Sequence, residues 1–262
     1  MDSIGDRQTM LTRKLDDLAG HNVLVTGASR GIGKAIAVDM ARHGATVMCS
    51  GRNQSTLDQT VSDILTEGGV AESITFDLSD PLSGRALVEE TIARLGDLDV
   101  VVNNAGMGGA SDDTLDDWLQ IMAVNLTAPF VICEAAAEHF KKKRSGKFVN
   151  ISSILGVVAE PGTATSYVAA KHGLIGMSKN LAAKLAPFGI QVNVVAPGYV
   201  ATEMTKEDFE DDNLSRSIVA RTPFGRWGQE TDIVGIVTFL ATDAAAFITG
   251  QTICVDGGWT CV

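Results

Sequence analysis

Two patterns of apolar residues alternate along the chain. Short runs rich in valine and isoleucine are followed by longer segments, such as IGKAIAVDMARHG and LDQTVSDILTEGG, in which apolar residues recur every three or four positions. The short runs predict buried strands and the longer segments predict amphipathic helices. The predicted strands are residues 22–26, 45–50, 73–77, 99–103, 147–152, 190–195 and 252–256. Because parallel strands need crossover helices, this alternation predicts an α/β fold with a doubly wound parallel sheet covered on both faces.

No low-complexity linker, repeat or change of composition divides the chain, so residues 15–262 are expected to form one domain. Residues 1–14 are expected to be a flexible tail, and the first twenty residues lack the apolar segment of a secretory signal. The acidic stretch 199–221 begins directly after a Pro-Gly pair and is expected to be a mobile lid over a substrate.

One long helical pattern begins near Thr114, where Thr114 and Asp117 have the spacing of a capping box. Pro129 lies inside this helix and lacks the N–H that would bond to the carbonyl of Asn125. The freed carbonyl is expected to hold a water molecule. The alternative is a simple kink filled by solvent.

Composition and charge narrow the classes of partner. The formal net charge is -11 and the isoelectric point is near 4.7, which disfavours binding to nucleic acid or to an anionic membrane surface. No run of 18 apolar residues predicts a membrane span. The four cysteines form no CxxC pair and the four histidines lack metal-ligand spacing, so we expect reduced thiols, a cytoplasmic location and no metal site.

The first strand is followed by the glycine-rich stretch TGASRGIG, residues 26–33, which opens a helix. Glycine allows a sharp turn and a close approach of the backbone to a pyrophosphate, and a helix N-terminus supplies free N–H donors. The spacing G-x-x-x-G-x-G differs from the common G-x-G-x-x-G fingerprint. A phosphate site is therefore predicted here, and a tight turn without a ligand is the alternative.

Candidate acid–base chemistry follows the fifth predicted strand. Tyr167 and Lys171, in ATSYVAAK, are four residues apart and would share one face of a helix. A nearby ammonium is expected to lower the pKa of the phenol. Ser152 and Ser153 end the fifth strand, so a hydroxyl, a phenol and an ammonium are predicted at one edge of the sheet. Hydride transfer to a carbonyl needs such a proton donor.

Several motifs occur in order: TGASRGIG, NNAG at 103–106, Asn125, ISS at 151–153, YVAAK at 167–171 and PGYVATEM at 197–204. Together they resemble the short-chain dehydrogenase/reductase family over about residue 18 to the end of the chain. The resemblance implies a Rossmann fold with strand order 3-2-1-4-5-6-7, a homotetramer, and catalytic roles for Asn125, Ser153, Tyr167 and Lys171. In that assignment Tyr167 is the acid–base group, Ser153 orients the carbonyl, and Lys171 also holds the nicotinamide ribose.

The resemblance also implies a set of residues that bind a nicotinamide dinucleotide. These are Gly27, Ser29, Arg30, Gly31, Ile32, Gly33, Arg52, Asn53, Asp77, Leu78, Asn104, Ala105, Gly106, Tyr167, Lys171, Pro197, Gly198, Val200 and Thr202.

The end of the second predicted strand bears on the choice of cofactor. NAD-selective enzymes place a carboxylate there for the ribose 2′-hydroxyl, and this chain has Gly51 followed by Arg52. Arg30 adds a second cation in the glycine-rich turn. NADP(H) is therefore the expected cofactor, and two solvated surface arginines are the alternative.

The substrate is less well defined. The stretches GRWG and DGGW resemble relatives that act on sugars, polyols and sugar acids, and Phe188 stands where acyl-carrier-protein reductases often have a docking arginine. We expect a reversible reduction of a small polar ketone (a ketose, sugar acid or cyclic ketone) to a secondary alcohol, with 3-oxoacyl-carrier-protein reduction as the alternative. A cofactor-sensing regulator without activity is a further alternative. The loop from Ser153 to Tyr167 is often one residue shorter in relatives, which predicts an unusual substrate pocket.

Overall fold

The structure is a computed structural model that describes residues 17–109 and 112–262. The predicted tail at residues 1–14 lies outside the described residues. The strands are β1 Asn22–Thr26, β2 Thr46–Gly51, β3 Val70–Thr75, β4 Val100–Asn103, β5 Gly146–Ile151, β6 Ile190–Pro197 and β7 Thr252–Val255. The α-helices are α1 Gly31–Arg42, α2 Gln54–Thr66, α3 Ser83–Leu95, α4 Leu115–Met122, α5 Ala128–Lys143, α6 Thr165–Leu185, α7 Lys206–Glu210, α8 Asp212–Arg221 and α9 Glu230–Ala241.

The strands form one parallel sheet in the order β3-β2-β1-β4-β5-β6-β7, which confirms the predicted fold class and strand order. The central strands β1, β4 and β5 are almost wholly buried, which explains their continuous apolar runs. Buried side chains of α1, α2 and α9 cover one face of the sheet, and those of α3, α5 and α6 cover the other. The strand order reverses between β1 and β4, because β2 and β3 are added on one side of β1 and β4 to β7 on the other. Sheets of this type bind ligands at that point.

Strand β3 begins earlier than its apolar pattern predicts. It spans Val70–Thr75, whereas the run 73–77 is the predicted strand. Only Ala71 and Ile74 are buried in this edge strand. Pairing with β2 sets its register from Val70 opposite Thr46 to Thr75 opposite Gly51. Phe76 and Asp77 therefore lie beyond the strand, in the loop that reaches the ligand side of the sheet.

The long helix predicted from Thr114 is present, but it is not α-helical throughout. Thr114 and Asp117 form the predicted capping box at the start of α4. A π turn at Ala123–Thr127 then joins α4 to α5, with the N–H of Ala128 bonded to the carbonyl of Ala123. By length and apolar composition this helix would also suit a membrane span, but such a test is equally passed by a core helix. Its α5 half packs against α3 within the core.

The stretch predicted as a lid contains a short 3-10 turn, Glu203–Thr205, and the two short helices α7 and α8. Most of its side chains are exposed, and Ile218 is its buried anchor in α8. Its mobility stays a prediction.

Candidate active site

A single cleft opens at the carboxyl ends of the central strands and contains nearly all the predicted cofactor-binding residues. The predicted residues that line it are Gly27, Ser29, Arg30, Gly31, Ile32, Gly33, Arg52, Asp77, Leu78, Asn104, Ala105, Gly106, Tyr167, Lys171, Pro197, Gly198, Val200 and Thr202. Asn53 is the one predicted cofactor-binding residue that does not line this cleft. Its side chain instead accepts a hydrogen bond from the N–H of Thr56 and caps α2.

The glycine-rich turn brings the N-terminus of α1 to the floor of the cleft. Gly27 and Gly31 have φ of 68° and 59°, which side-chain-bearing residues rarely adopt. A Cβ at Gly33 would overlap the carbonyl oxygen of Gly27 and the side-chain amide of Asn104. Arg30 provides no side-chain cap, so the first N–H groups of α1 have no acceptor within the helix. This arrangement suits a pyrophosphate.

Asn104 fixes the turn to the neighbouring strand. Its amide nitrogen donates to the carbonyl of Thr26 at 3.0 Å and to that of Gly27 at 3.3 Å. The hydroxyl of Thr26 accepts hydrogen bonds from the N–H groups of Asn104 and Ala105 at 3.1 and 3.0 Å. These bonds explain why the NNAG stretch needs Asn at its second position, and they hold the loop after β4 against the loop after β1.

The far side of the cleft is bounded by Gly51 and Arg52, with no carboxylate at the end of β2. Asp77 lies nearby, and hydrogen bonds from the N–H and side chain of Ser79 lower its pKa, with a smaller contribution from the charge of Arg52. Arg52 and Arg30 are both exposed at this rim. Two cations and a glycine are thus present where an adenosine 2′-phosphate would need them.

Ser153 and Tyr167 meet at the inner end of the cleft. Burial raises the pKa of Tyr167, while a hydrogen bond with Ser153 acts in the opposite direction. The pKa shift of Tyr167 is therefore opposite to the one expected from the sequence. A phenol with a raised pKa stays protonated at neutral pH, so it remains able to donate a proton.

Lys171 approaches the same phenol from the next turn of α6. Its Nζ donates to the carbonyl of Ile151 at 3.0 Å and lies 5.5 Å from the centroid of the Tyr167 ring. Burial lowers the pKa of Lys171 to about 8. The backbone carbonyl of Lys171 accepts a hydrogen bond from the hydroxyl of Ser152 at 3.0 Å.

Asn125 is buried behind the cleft rather than on its surface. Its side-chain oxygen accepts from the N–H of Met107, and its side-chain nitrogen donates to the carbonyl of Met107, both at 2.8 Å. A Cβ placed on Gly106 would lie 3.3 Å from the Asn125 oxygen and 3.5 Å from the Lys171 nitrogen. Asn125 and Lys171 therefore flank Gly106. The π turn, which the sequence pattern did not predict, is the segment that carries Asn125.

Asp113 belongs to this site and was missed by the sequence analysis. Its carboxylate accepts hydrogen bonds from the N–H and the hydroxyl of Ser166, the residue before Tyr167. The two residues are 53 positions apart, so no local pattern could have identified the pair. The sequence signal for this contact was limited to the two adjacent acids before Thr114, Asp112 and Asp113.

Comparison with known proteins places the chain among oxidoreductases. A family model described as enoyl-(acyl carrier protein) reductase matches residues 27–260. The chain is 39% identical over 252 residues to the gluconate 5-dehydrogenase of Gluconobacter oxydans, covering 94% of this chain and 97% of that protein. It is 41% identical over 244 residues to the 3-oxoacyl-[acyl-carrier-protein] reductase of Escherichia coli, covering 91% and 97%.

A solved structure supports the same assignment. The gluconate 5-dehydrogenase of Burkholderia cenocepacia in complex with NADP and tartrate superposes with a TM-score of 0.90 at 37% identity, covering 95% of this chain and 99% of that one. The sheet order and the matched length agree with these relatives. The chain belongs to the short-chain dehydrogenase/reductase family.

Proposed function

We propose that this enzyme uses NADP(H) to interconvert a small polar ketone and its secondary alcohol, with a sugar acid or ketose as the substrate class. The observation that carries the proposal is the convergence of Ser153, Tyr167 and Lys171 on the cleft that also contains the glycine-rich turn. The relatives named gluconate 5-dehydrogenase, and the NADP seen with one of them, support the cofactor and the substrate class.

A nicotinamide held in this cleft would supply the hydride that reduces the carbonyl carbon, and one proton must then reach the oxygen. We assign that proton to the Tyr167 phenol, which burial keeps protonated. The Ser153 hydroxyl donates a hydrogen bond to the oxygen on which negative charge develops. Lys171, with a pKa near 8, carries its charge at neutral pH and stabilises the phenolate that Tyr167 becomes.

Asn125 acts as a positioning residue in this proposal. Its two bonds to Met107 hold the loop after β4 beside Lys171, and Gly106 leaves room for the ribose. The N-terminal amides of α1 bind the pyrophosphate, and Arg30 and Arg52 bind the 2′-phosphate. The remaining predicted residues of the cleft complete the cofactor site, apart from Asn53.

The alternative substrate is a 3-oxoacyl group on acyl carrier protein, which the Escherichia coli relative's name supports. An acidic carrier protein would need a basic docking surface. In the run Lys141–Arg144, however, Lys143 is bonded to Asp97 and Asp99, and Lys141 lies over the ring of Phe188. Because the charge of Lys143 is paired with two carboxylates, this run offers less free positive charge to an acidic carrier protein. That favours the small-substrate assignment.

The test is a steady-state assay that follows oxidation of the reduced nicotinamide with a panel of ketoses, keto sugar acids, cyclic ketones and a 3-oxoacyl-carrier-protein. NADPH and NADH are compared with each active ketone. We expect kcat/KM to be highest for a keto sugar acid or ketose with NADPH. A preference for the carrier-protein substrate would support the alternative, and binding of cofactor without turnover of any substrate would support a regulator.

We also propose a homotetramer in the cytoplasm. Three large apolar side chains along the helix from α4 to α5 support an interface there, since Leu115, Leu119 and Phe130 are 72%, 58% and 45% exposed. All four cysteines are free, as expected in a reducing compartment. Light scattering after gel filtration gives the oligomeric mass directly.

A further inference from the structure

A charged pair links the lid to the loop that precedes the catalytic helix. Arg221, the last residue of α8, has its Nη1 atom 3.4 and 3.5 Å from the two carboxylate oxygens of Glu160. The hydroxyl of Tyr199 lies 3.5 Å from the same carboxylate. The guanidinium carbon of Arg221 is 3.6 Å from the centroid of the Trp259 ring, so the cation is stacked on an indole that is only 1% exposed.

This pair lies beside the proposed proton donor. Trp259 forms a buried cluster with Ile154 and Leu155, and Tyr167 and Tyr199 both pack against that cluster. Arg221 and Tyr167 therefore both contact this cluster, Arg221 through the ring of Trp259.

Arg221 differs from Arg216 and Arg226 in the groups that its guanidinium contacts. Arg216, one and a half turns earlier in α8, bonds to the carbonyl of Asp212 and the side chain of Asn213 in its own helix. Arg226 is held by both oxygens of Asp232 at 2.7 and 2.9 Å. Among these three arginines, Arg221 is the one whose guanidinium is stacked on Trp259.

The contact between Arg221 and Glu160 is weak. Both distances exceed those of a charge-assisted hydrogen bond, and the Arg221 side chain is 47% exposed. Exposed ion pairs of this kind contribute little to stability. Stacking on Trp259 nevertheless keeps the guanidinium plane fixed, so that a better-placed carboxylate can bind without reorganising it.

We propose that Arg221 binds the carboxylate of an anionic hydroxy acid or keto acid substrate, and that Glu160 occupies Arg221 until the substrate displaces it. This proposal rests on the proposed function, since it names the substrate class of the same site. Glu160 therefore lowers the affinity for anionic substrates and has no such effect on neutral polyols. The Arg221 and Glu160 pair would thus make the enzyme selective for acids while the Arg221 charge keeps a carboxylate partner when no substrate is bound.

The test measures binding rather than turnover. Isothermal titration calorimetry of the NADPH-loaded enzyme with D-gluconate forms a complex that cannot react, because cofactor and substrate are both reduced. D-Glucitol is the matched ligand, since it replaces the carboxylate by a neutral CH2OH group. We expect wild-type enzyme to bind D-gluconate about 10-fold more tightly than D-glucitol.

The variants separate recognition from structure. Arg221→Met should remove the preference for D-gluconate while leaving the D-glucitol affinity unchanged, and Arg221→Lys should retain part of the preference. Glu160→Gln should increase the D-gluconate affinity alone. Arg216→Met, the same change in the same helix, should alter neither affinity. Equal weakening of both ligands by Arg221→Met, no preference in the wild type, or weaker D-gluconate binding in Glu160→Gln would each overturn the proposal. Selective binding without turnover of any sugar acid would instead contradict the proposed function alone.

Discussion

The carboxylate of Asp113 accepts two hydrogen bonds from Ser166, at 2.7 Å from its backbone N–H and at 2.8 Å from its hydroxyl. Ala164, the residue before α6, offers no side-chain cap. Asp113 therefore does for α6 what an N-cap residue does for other helices, from a distant part of the chain. Tyr167 occupies the same first turn, so its position depends on this contact.

We predict that Asp113→Ala lowers kcat about 10-fold and leaves the Kd for NADPH nearly unchanged, because the turn that carries Tyr167 loses its cap while the glycine-rich turn is untouched. Loss of such a cap also costs about 1 kcal/mol of stability. Steady-state kinetics, cofactor titration and thermal unfolding measure the three effects. The neighbouring exposed Asp112 provides the control variant, Asp112→Ala. Equal losses in kcat for both variants would show that Asp113 has no special role.

Replacement of the proposed proton donor gives the most direct prediction. Tyr167→Phe deletes one hydroxyl and retains the ring that packs near Trp259, so we expect the fold and NADPH binding to persist. Turnover should fall by about 100- to 10,000-fold, as is typical when a general acid is removed. Rates are compared with a deuterated reduced cofactor to show that the chemical step is limiting. A variant that kept most of the wild-type rate under those conditions would exclude Tyr167 as the acid.

Cofactor selectivity is predicted to depend on the end of β2. The double variant Gly51→Asp with Arg52→Ala should shift kcat/KM from NADPH towards NADH, mainly through KM, since a carboxylate there repels a 2′-phosphate. A side chain at Gly51 would meet Leu57 at 3.3 Å, so a steric control is needed. Gly51→Ala with Arg52→Ala supplies it. If both double variants lost activity with the two cofactors equally, crowding rather than charge would be responsible.

Acid stability should depend on Asp97, which accepts hydrogen bonds from His139 at 2.6 Å and Lys143 at 2.8 Å. Burial would raise its pKa, but the bonds from Lys143 and His139 outweigh burial and lower the pKa from 3.8 to about 2. Because the native pKa lies below the unfolded value, the ionised carboxylate stabilises the fold above about pH 4. That contribution is lost as the pH falls from about 4 to about 2.

We therefore predict that Asp97→Asn is less stable than the wild type at neutral pH by about 1 kcal/mol, a small value because the carboxylate is 43% exposed. The two proteins should converge near pH 2. Thermal unfolding across this range measures the difference, and Glu72→Gln, at an exposed carboxyl on β3, is the control. A difference that stayed constant down to pH 2 would show that the pKa of Asp97 is not lowered.

The sequence was sufficient for the sheet because most strands are buried and leave continuous apolar runs, as Val100–Asn103 does. It was less reliable for β3, where half of the side chains face solvent and only pairing with β2 sets the start at Val70. Residues of separate motifs that were predicted to share one site, such as Ser153 and Tyr167, do line the same cleft. Their electrostatics were not predictable, because the pKa of Tyr167 depends on burial rather than on the spacing to Lys171.

Contacts between distant loops were also beyond the sequence. Glu160 and Arg221 are 61 positions apart, and both lie in irregular or short elements with no periodicity to relate them. Asn53 has a side-chain contact that its position did not suggest, since its place after β2 indicated the cofactor and its side chain completes a helix cap; its contact with the cofactor stays a prediction. Motif position indicates which edge of the sheet a residue reaches, and only packing decides what its side chain contacts.

The π turn at Ala123–Thr127 has a geometric consequence for the whole helix from Leu115 to Lys143. It holds one residue more than regular α-helical spacing, and each residue of an α-helix turns the chain by about 100°. The α4 half faces α6, the helix that carries Tyr167, whereas the α5 half faces α3. Without the additional residue, either the apolar face of α4 would turn away from α6 or that of α5 would turn away from α3. The π turn thus sets the rotation of α5 about the helix axis relative to α4. Deleting Leu126 would change that rotation, so α4 and α5 could no longer both face their present neighbours.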